Sequence, residues 1–224
     1  MLKRLAIFSS LVMLFAGVAQ GAERYQTLAS PQPTSVSDKV EVVEMFWYGC
    51  NHCYSLEPVI QEWLKTKPDY IEFVRVPAVF RDNWVPLARA WYVIQTLDLG
   101  EQVHVNLFRA LHEKKQNLNN VGLLRKFFVD EGVSAEQFDE VYNSFSVDSM
   151  ARNAAKLTRD YKITGVPSII VNGRYMTSAT LAGGHEALMA EVDLLAAREA
   201  ETMGLLTGKA EAVAPAAPTL TISE

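Results

Sequence analysis

Cys50 and Cys53 are the two cysteines of this 224-residue chain, and they stand three apart in Phe46-Trp47-Tyr48-Gly49-Cys50-Asn51-His52-Cys53-Tyr54. Such a pair can be a structural staple, a portion of a metal site, or a reactive dithiol. As a staple it is weak: closing a four-residue ring contributes about 2 kcal/mol in the chain-entropy model, before strain. A chain this long with 49% hydrophobic residues can build its own core without that help. As a metal site it is incomplete, because Cys50, His52 and Cys53 supply three ligands where zinc takes four and no second cysteine pair exists. Haem attachment needs histidine directly after the second cysteine, and residue 54 is tyrosine. A reactive pair fits best. The thiolate is the nucleophile of disulfide exchange. Cys50 falls where a helix begins, so free N–H groups and the helix dipole favour its anion. His52 adds a hydrogen bond or a positive charge. Both effects depress the Cys50 pKa and stabilise the reduced form. Each pKa unit below ambient pH makes the disulfide more oxidising by about 1.4 kcal/mol, or ~30 mV. The sequence therefore points to an oxidant, with Cys53 buried one turn in as the resolving thiol.

The elements that hold this pair are legible around it. Residues 40–47 read as a strand with apolar side chains in both alternation phases, which predicts burial on both faces. A helix over 55–65, beginning near the cysteines and kinked by Pro58, leads to a second strand over 70–76. This is a βαβ unit with the cysteines at its strand-to-helix turn. Residues 84–160 carry helical patterns and no strand signal: 85–97, 101–114, 121–129, 134–142 and 147–161. Ser134 with Gln137 has the pattern of a capping box. Strand signals return at 168–171, Asn172-Gly173 is a two-residue hairpin turn, and 174–177 is the return strand. A last helix is expected over 185–203. Residues 23–39 read as an extended lead-in.

Several of these segments together resemble a known family. Glu44-Met45-Phe46 running into Cys50-Asn51-His52-Cys53-Tyr54 and then Glu57 is similar to the DsbA family of periplasmic disulfide oxidases. Gly165-Val166-Pro167 and Val171-Asn172-Gly173-Arg174-Tyr175 match the same family, so the likeness spans nearly all of the chain after its leader. The resemblance implies an α/β thioredoxin fold with an inserted α-helical domain. The thioredoxin-fold segments would be residues 22–82 and 163–206, with the helical insertion over 83–162 between them. The resemblance implies that Pro167 is a cis-proline beside the disulfide and that the Val166 backbone pairs with the client. It makes Glu44 a buried acid beneath the cysteines, able to relay protons to Cys53, and Glu57 a second acid near the site. For Glu44 there is an independent reason, since a carboxylate in a doubly buried strand needs a partner or a proton, with a strand-edge Glu in water as the alternative. For Glu57 a solvated helix face stays open as the alternative. Asn51 departs from the proline common in the family, and the residues between the cysteines tune the potential. The implied activity is donation of the Cys50–Cys53 disulfide to reduced or unfolded secreted proteins by a monomer. A DsbB-like quinone-linked membrane protein would reoxidise it, and no bound cofactor or metal is required.

The chain ends bear on compartment. Lys3 and Arg4 precede an uncharged apolar run over residues 5–18, and Gly17, Ala19, Gly21 and Ala22 are small, as in a secretory signal peptide cleaved after Ala19 or Gly21. Export to the periplasm is the expectation. Residues 207–224, rich in Ala, Pro and Thr, read as a mobile tail. A net charge of −5 offers no basic footprint for nucleic acid. His104, His112 and His185 are dispersed and read as surface or packing histidines. Tyr48, Trp47 and Trp84 could line a client surface, though aromatics in such segments more often fill a core. The rival readings are an isomerase or reductase on the same fold, a chaperone-like client-binding module with incidental cysteines, and a metal-binding protein.

Overall fold

The structure, a computed structural model, describes residues 23–206. The expected signal peptide and the expected tail lie outside these residues. Strand β1 (Tyr25–Thr27) precedes β2 (Val40–Phe46), which leads through the cysteine turn into helix α1 (Asn51–Leu64) and then β3 (Ile71–Pro77). A 3-10 turn at Asp82–Trp84 opens the helical region, α2 (Val85–Thr96), α3 (Gly100–His112), α4 (Val121–Asp130), α5 (Ala135–Tyr142) and α6 (Phe145–Asp160). The chain returns to the sheet with β4 (Ser168–Val171) and β5 (Tyr175–Thr177), and closes with α7 (Ala179–Ala182) and α8 (His185–Thr202).

The sheet order is β1-β5-β4-β2-β3. β2 pairs in parallel with β3 and antiparallel with β4, so it has a neighbour on each edge. All seven of its residues are buried, as its two-phase apolar pattern requires. Val40 and Val42 face α1 and α8, packing with Leu56, Ile60, Leu188 and Val192. Val43 and Met45 face the other way, with Ile170, Ala154 and Tyr161. Helices α2 to α5 enclose a core of their own, which Phe46 of β2, Tyr48 of the cysteine turn and Cys53 of α1 enter, whereas α6 packs with Ala154 against the sheet cluster of Val43 and Met45. This is the thioredoxin fold with a helical insertion, and the cysteine turn lies on the seam between the two.

Some boundaries differ from the sequence pattern. The lead-in contains β1, which pairs antiparallel with β5. Tyr25 meets the Tyr175 ring edge-on at 5.4 Å, and the Thr177 hydroxyl donates to the Arg24 carbonyl at 2.7 Å. Three residues are too few to show a period, and their partners are distant in sequence. α1 starts at Asn51, at the cysteines as expected, and runs through Pro58 to Leu64 as one element. The hairpin turn matches its pattern: Asn172 and Gly173 both have positive φ, at 49° and 62°, as a type I′ turn needs. A side chain at 173 would meet the Gln32 carbonyl oxygen at 2.1 Å. Ser134 caps α5 through the Gln137 amide, the backbone half of the anticipated box.

Candidate active site

Cys50 is the N-cap of α1, in extended conformation, and its own side chain makes no capping bond. A turn closed by the Cys50 amide donating to the Trp47 carbonyl, at 3.0 Å, brings the chain from β2 into the helix. Gly49 is required there by close approach, since a Cβ would lie 2.4 Å from the Trp47 ring. That ring stacks on Trp84 at 3.9 Å and 5°. Cys50 is half-buried and Cys53 is fully buried. Opposite them, Val166 and Pro167 are joined by a cis peptide bond, and Cys50 Sγ donates to the Val166 carbonyl at 3.3 Å. The Ser168 hydroxyl donates to the Gly165 carbonyl at 2.8 Å and holds that loop.

The two thiols are driven apart in acidity. The Cys50 pKa falls to about 6, chiefly because the Cys53 thiol donates a hydrogen bond to its thiolate. Burial opposes this, while the backbone N–H groups of Cys53 and His52 and the charge of His52 assist. The His52 charge is the least of these contributions. Burial pushes the Cys53 thiol well up, and the Cys50 thiolate and Glu44 push it further. The exposed His52 also lines a cavity of about 300 Å³ with Val166, Pro167, Met176 and His185.

Beneath the cysteines lies a buried charge network of which the sequence reveals only some members. Glu44, 1% exposed, meets Arg75 Nε at 3.1 Å. The same guanidinium reaches Glu57 at 2.9 Å and Glu101 at 2.8 Å. Glu57 is 4% exposed, so the solvated-face alternative is overturned: its side of α1 packs on α3. One cation cannot neutralise three carboxylates. Glu101 keeps its solvent. The burial of Glu57 is offset by a hydrogen bond from His104 and the Arg75 charge, which take its pKa down to about 2. Glu44 is left to hold a proton: its burial outweighs Arg75 and raises its pKa to about 8. His104 is fully buried, with Nδ1 2.6 Å from the Tyr48 hydroxyl and Nε2 3.3 Å from Glu57. Tyr48 donates to Nδ1 and Nε2–H donates to Glu57, which is the neutral tautomer, in keeping with a pKa that burial lowers. Ligand atoms of Glu57, Glu101 and His104 lie within 4.8 Å of one another, but Arg75 already serves these carboxylates as their cation.

Arg75, His104 and His112, whose Nε2 lies 2.7 Å from the Tyr48 carbonyl oxygen, belong to this neighbourhood, and sequence reasoning did not place them in the site. β2 and β3 are both seven residues long and pair from their first residues, so Glu44 and Arg75, each fifth, are direct neighbours. His104 is on the α3 face of Val103, Leu107 and Phe108, all buried. Tyr48 and Trp84 are core residues, whereas Trp47 is only partly buried. His185 is partly exposed at the rim of the cavity beside Pro167.

A dithiol at the first turn of a helix, faced by a cis-proline loop on a thioredoxin sheet, defines a thiol–disulfide oxidoreductase. The comparisons agree. The family model of the DSBA-like thioredoxin domain matches residues 41–189, and the chain belongs to that family. It is 40% identical over 172 residues to the thiol:disulfide interchange protein DsbA of Burkholderia cepacia, covering 73% of this chain and 81% of that one. With DsbA of Pseudomonas aeruginosa it shares 35% over 195 residues, 85% of this chain and 92% of the other. The crystal structure of Pseudomonas aeruginosa DsbA covers 80% of this chain and 94% of its own, with TM-score 0.76 and 36% identity. The oxidoreductase DsbA of Xylella fastidiosa gives TM-score 0.74 at 31% identity over 80% of this chain and 96% of that one.

Proposed function

We propose that this protein disulfide oxidoreductase acts as a dithiol oxidase in which Cys50 exchanges with the client and Cys53 resolves. The observation that carries this is the placement of the two thiols: Cys50, half-exposed at the N-cap of α1 with Sγ 3.3 Å from the Val166 carbonyl beside cis-Pro167, over a fully buried Cys53; that placement lowers the Cys50 pKa to about 6 and raises that of Cys53. In the oxidised protein a client thiolate attacks Cys50 Sγ. The Cys50–Cys53 bond breaks, a client–Cys50 disulfide forms, and Cys53 leaves as a thiolate. Because its pKa is high, Cys53 takes up a proton, and Glu44, protonated at neutral pH, is the nearby acid that supplies it. The client's second thiolate then attacks its own sulfur in the mixed disulfide. Cys50 departs as a stable thiolate, which makes it a good leaving group. The client has lost two electrons and the protein has gained them. The Val166 backbone and Pro167 hold the client chain alongside Cys50. Asn51 and Glu57 tune the potential, Glu57 by engaging Arg75 and so leaving Glu44 its proton.

The partners in this reading are reduced or unfolded exported proteins. A DsbB-type quinone-linked membrane protein then removes the two electrons from the reduced pair. The basic residues and apolar run at the N-terminus support export to the periplasm, and residues 83–162 form the inserted helical domain of a monomer. Cys50→Ser should abolish catalysed oxidation of a reduced client; undiminished oxidation would sink the assignment. Cys53→Ser should accumulate mixed disulfides through Cys50 in cells and identify the clients. A potential as low as the roughly −270 mV of thioredoxin would point to a reductase instead.

A further inference from the structure

His112, the last residue of α3, reaches out of the helical insertion and touches the cysteine turn on both sides of Cys50. Its Nε2 lies 2.7 Å from the Tyr48 carbonyl oxygen and its Nδ1 2.8 Å from Asn51 Oδ1. Its ring lies flat on Tyr54 of α1, centroids 4.9 Å apart at 5°, and Phe108, one turn earlier on α3, packs against it at 6.0 Å. Tyr54 is held in turn by a hydrogen bond from its hydroxyl to Glu113. A carbonyl only accepts, so Nε2 carries a hydrogen. Nδ1 then pairs with either end of the Asn51 amide, accepting from its NH₂ or donating to its oxygen. In both arrangements the Asn51 side chain is drawn toward α3.

This contact bears on the thiolate by a direct route. The Cys50 anion is stabilised by the N–H groups of His52 and Cys53, which belong to the first turn of α1. The aim of those groups depends on how the chain enters the helix. A proline at position 51 would fix that entry through its ring; asparagine fixes nothing by itself. We propose that His112 is a positioning residue: by clamping the Tyr48 carbonyl and the Asn51 amide it holds the first turn of α1 against Cys50 Sγ, and so couples the helical insertion to the oxidising strength of the disulfide. This rests on Cys50 being the exchanging thiol.

His112→Phe keeps a ring to stack on Tyr54 and removes both hydrogen bonds. Two readouts on the purified protein, the 240 nm thiolate titration of Cys50 and the redox equilibrium with glutathione, report the coupling. Cys50 should titrate about half a unit to one unit higher, with the equilibrium shifted about three- to tenfold toward the protein disulfide. His112→Gln, which can still donate to the Tyr48 carbonyl, should recover some of the shift. Asn51→Ala should move both readouts the same way, and His112→Phe added to it should then shift them less than in the parent. Unchanged titration and equilibrium in His112→Phe, or shifts fully additive with Asn51→Ala, overturn the proposal. Should His112→Phe fail to fold, His112→Gln decides it: it loses the Nδ1 contact to Asn51 and the ring, so both readouts should move in the same direction by a smaller amount, and unchanged values overturn the proposal. Loss of client oxidation in Cys50→Ser tests the assigned activity; the glutathione equilibrium, read with both cysteines intact, tests the His112 coupling separately.

Discussion

A thiolate stabilised only in the reduced protein makes the two redox forms respond differently to pH. The Cys50 pKa is depressed from 9.0 to about 6. A depressed acid contributes stability that is present above its unfolded value and lost as pH falls through the folded one. The reduced form should therefore lose stability relative to the oxidised form as pH falls from about 9 to about 6. Urea unfolding of both forms across that range checks this, and a constant difference would refute it. Glu44 runs the opposite way. Its pKa is raised from 4.5 to about 8, so its contribution is present below the unfolded value and is lost as pH rises through the folded one. Glu44→Gln imitates the protonated acid and removes that loss. The variant should gain stability relative to the parent as pH rises from about 5 to about 8. It should also slow client oxidation at neutral pH by roughly a hundredfold, because the proton donor proposed for Cys53 is gone. Stopped-flow oxidation of a reduced client measures the second effect.

Strand register is what sets the Glu44 carboxyl beside the Arg75 guanidinium. Glu44 and Arg75 are direct partners in the parallel ladder of β2 and β3, and α1 delivers Glu57 to the same guanidinium. The network is shared among four elements, since α3 adds Glu101 and His104, and removing its cation leaves Glu57 buried without a counter-charge. Arg75→Met, close in length and uncharged, should cost about 3–5 kcal/mol in equilibrium unfolding at neutral pH. Some of that loss should return at low pH, where the carboxylates take protons. A loss under about 1 kcal/mol would show that solvent reaches the pair.

At the scale of the molecule, the insertion and the sheet share a side-chain cluster rather than a linker. Phe46, the last residue of β2, meets Tyr48 at 5.1 Å, Trp91 at 5.6 Å, His104 at 5.5 Å and Phe108 at 6.0 Å. Trp91, His104 and Phe108 come from the insertion, and Tyr48 from the cysteine turn. Sheet and insertion should therefore unfold together. Phe46→Ala should cost about 3–5 kcal/mol and lower one transition, seen identically by far-ultraviolet circular dichroism and tryptophan fluorescence. Two separated transitions would mean that the insertion folds as an independent unit.

The pair of cysteines, their place at a helix start, the doubly buried strand before them and the helical character of the middle were all legible in the sequence. Each rests on local spacing: the close placing of the thiols, two-phase apolar alternation, a helical periodicity. Glu44 was legible too, because a carboxylate inside such a strand demands an explanation wherever the chain goes. Arg75, His104 and His112 were not. Their meaning comes from partners 18 to 64 positions away, and no local pattern records which helix face will meet which turn. β1 was missed for the same reason, being three residues paired to a distant strand. The chain thus determines by itself that a reactive dithiol stands at a strand-to-helix turn. Only tertiary packing decides which groups surround it, since proton sharing and hydrogen bonds depend on ångström distances between elements far apart in sequence.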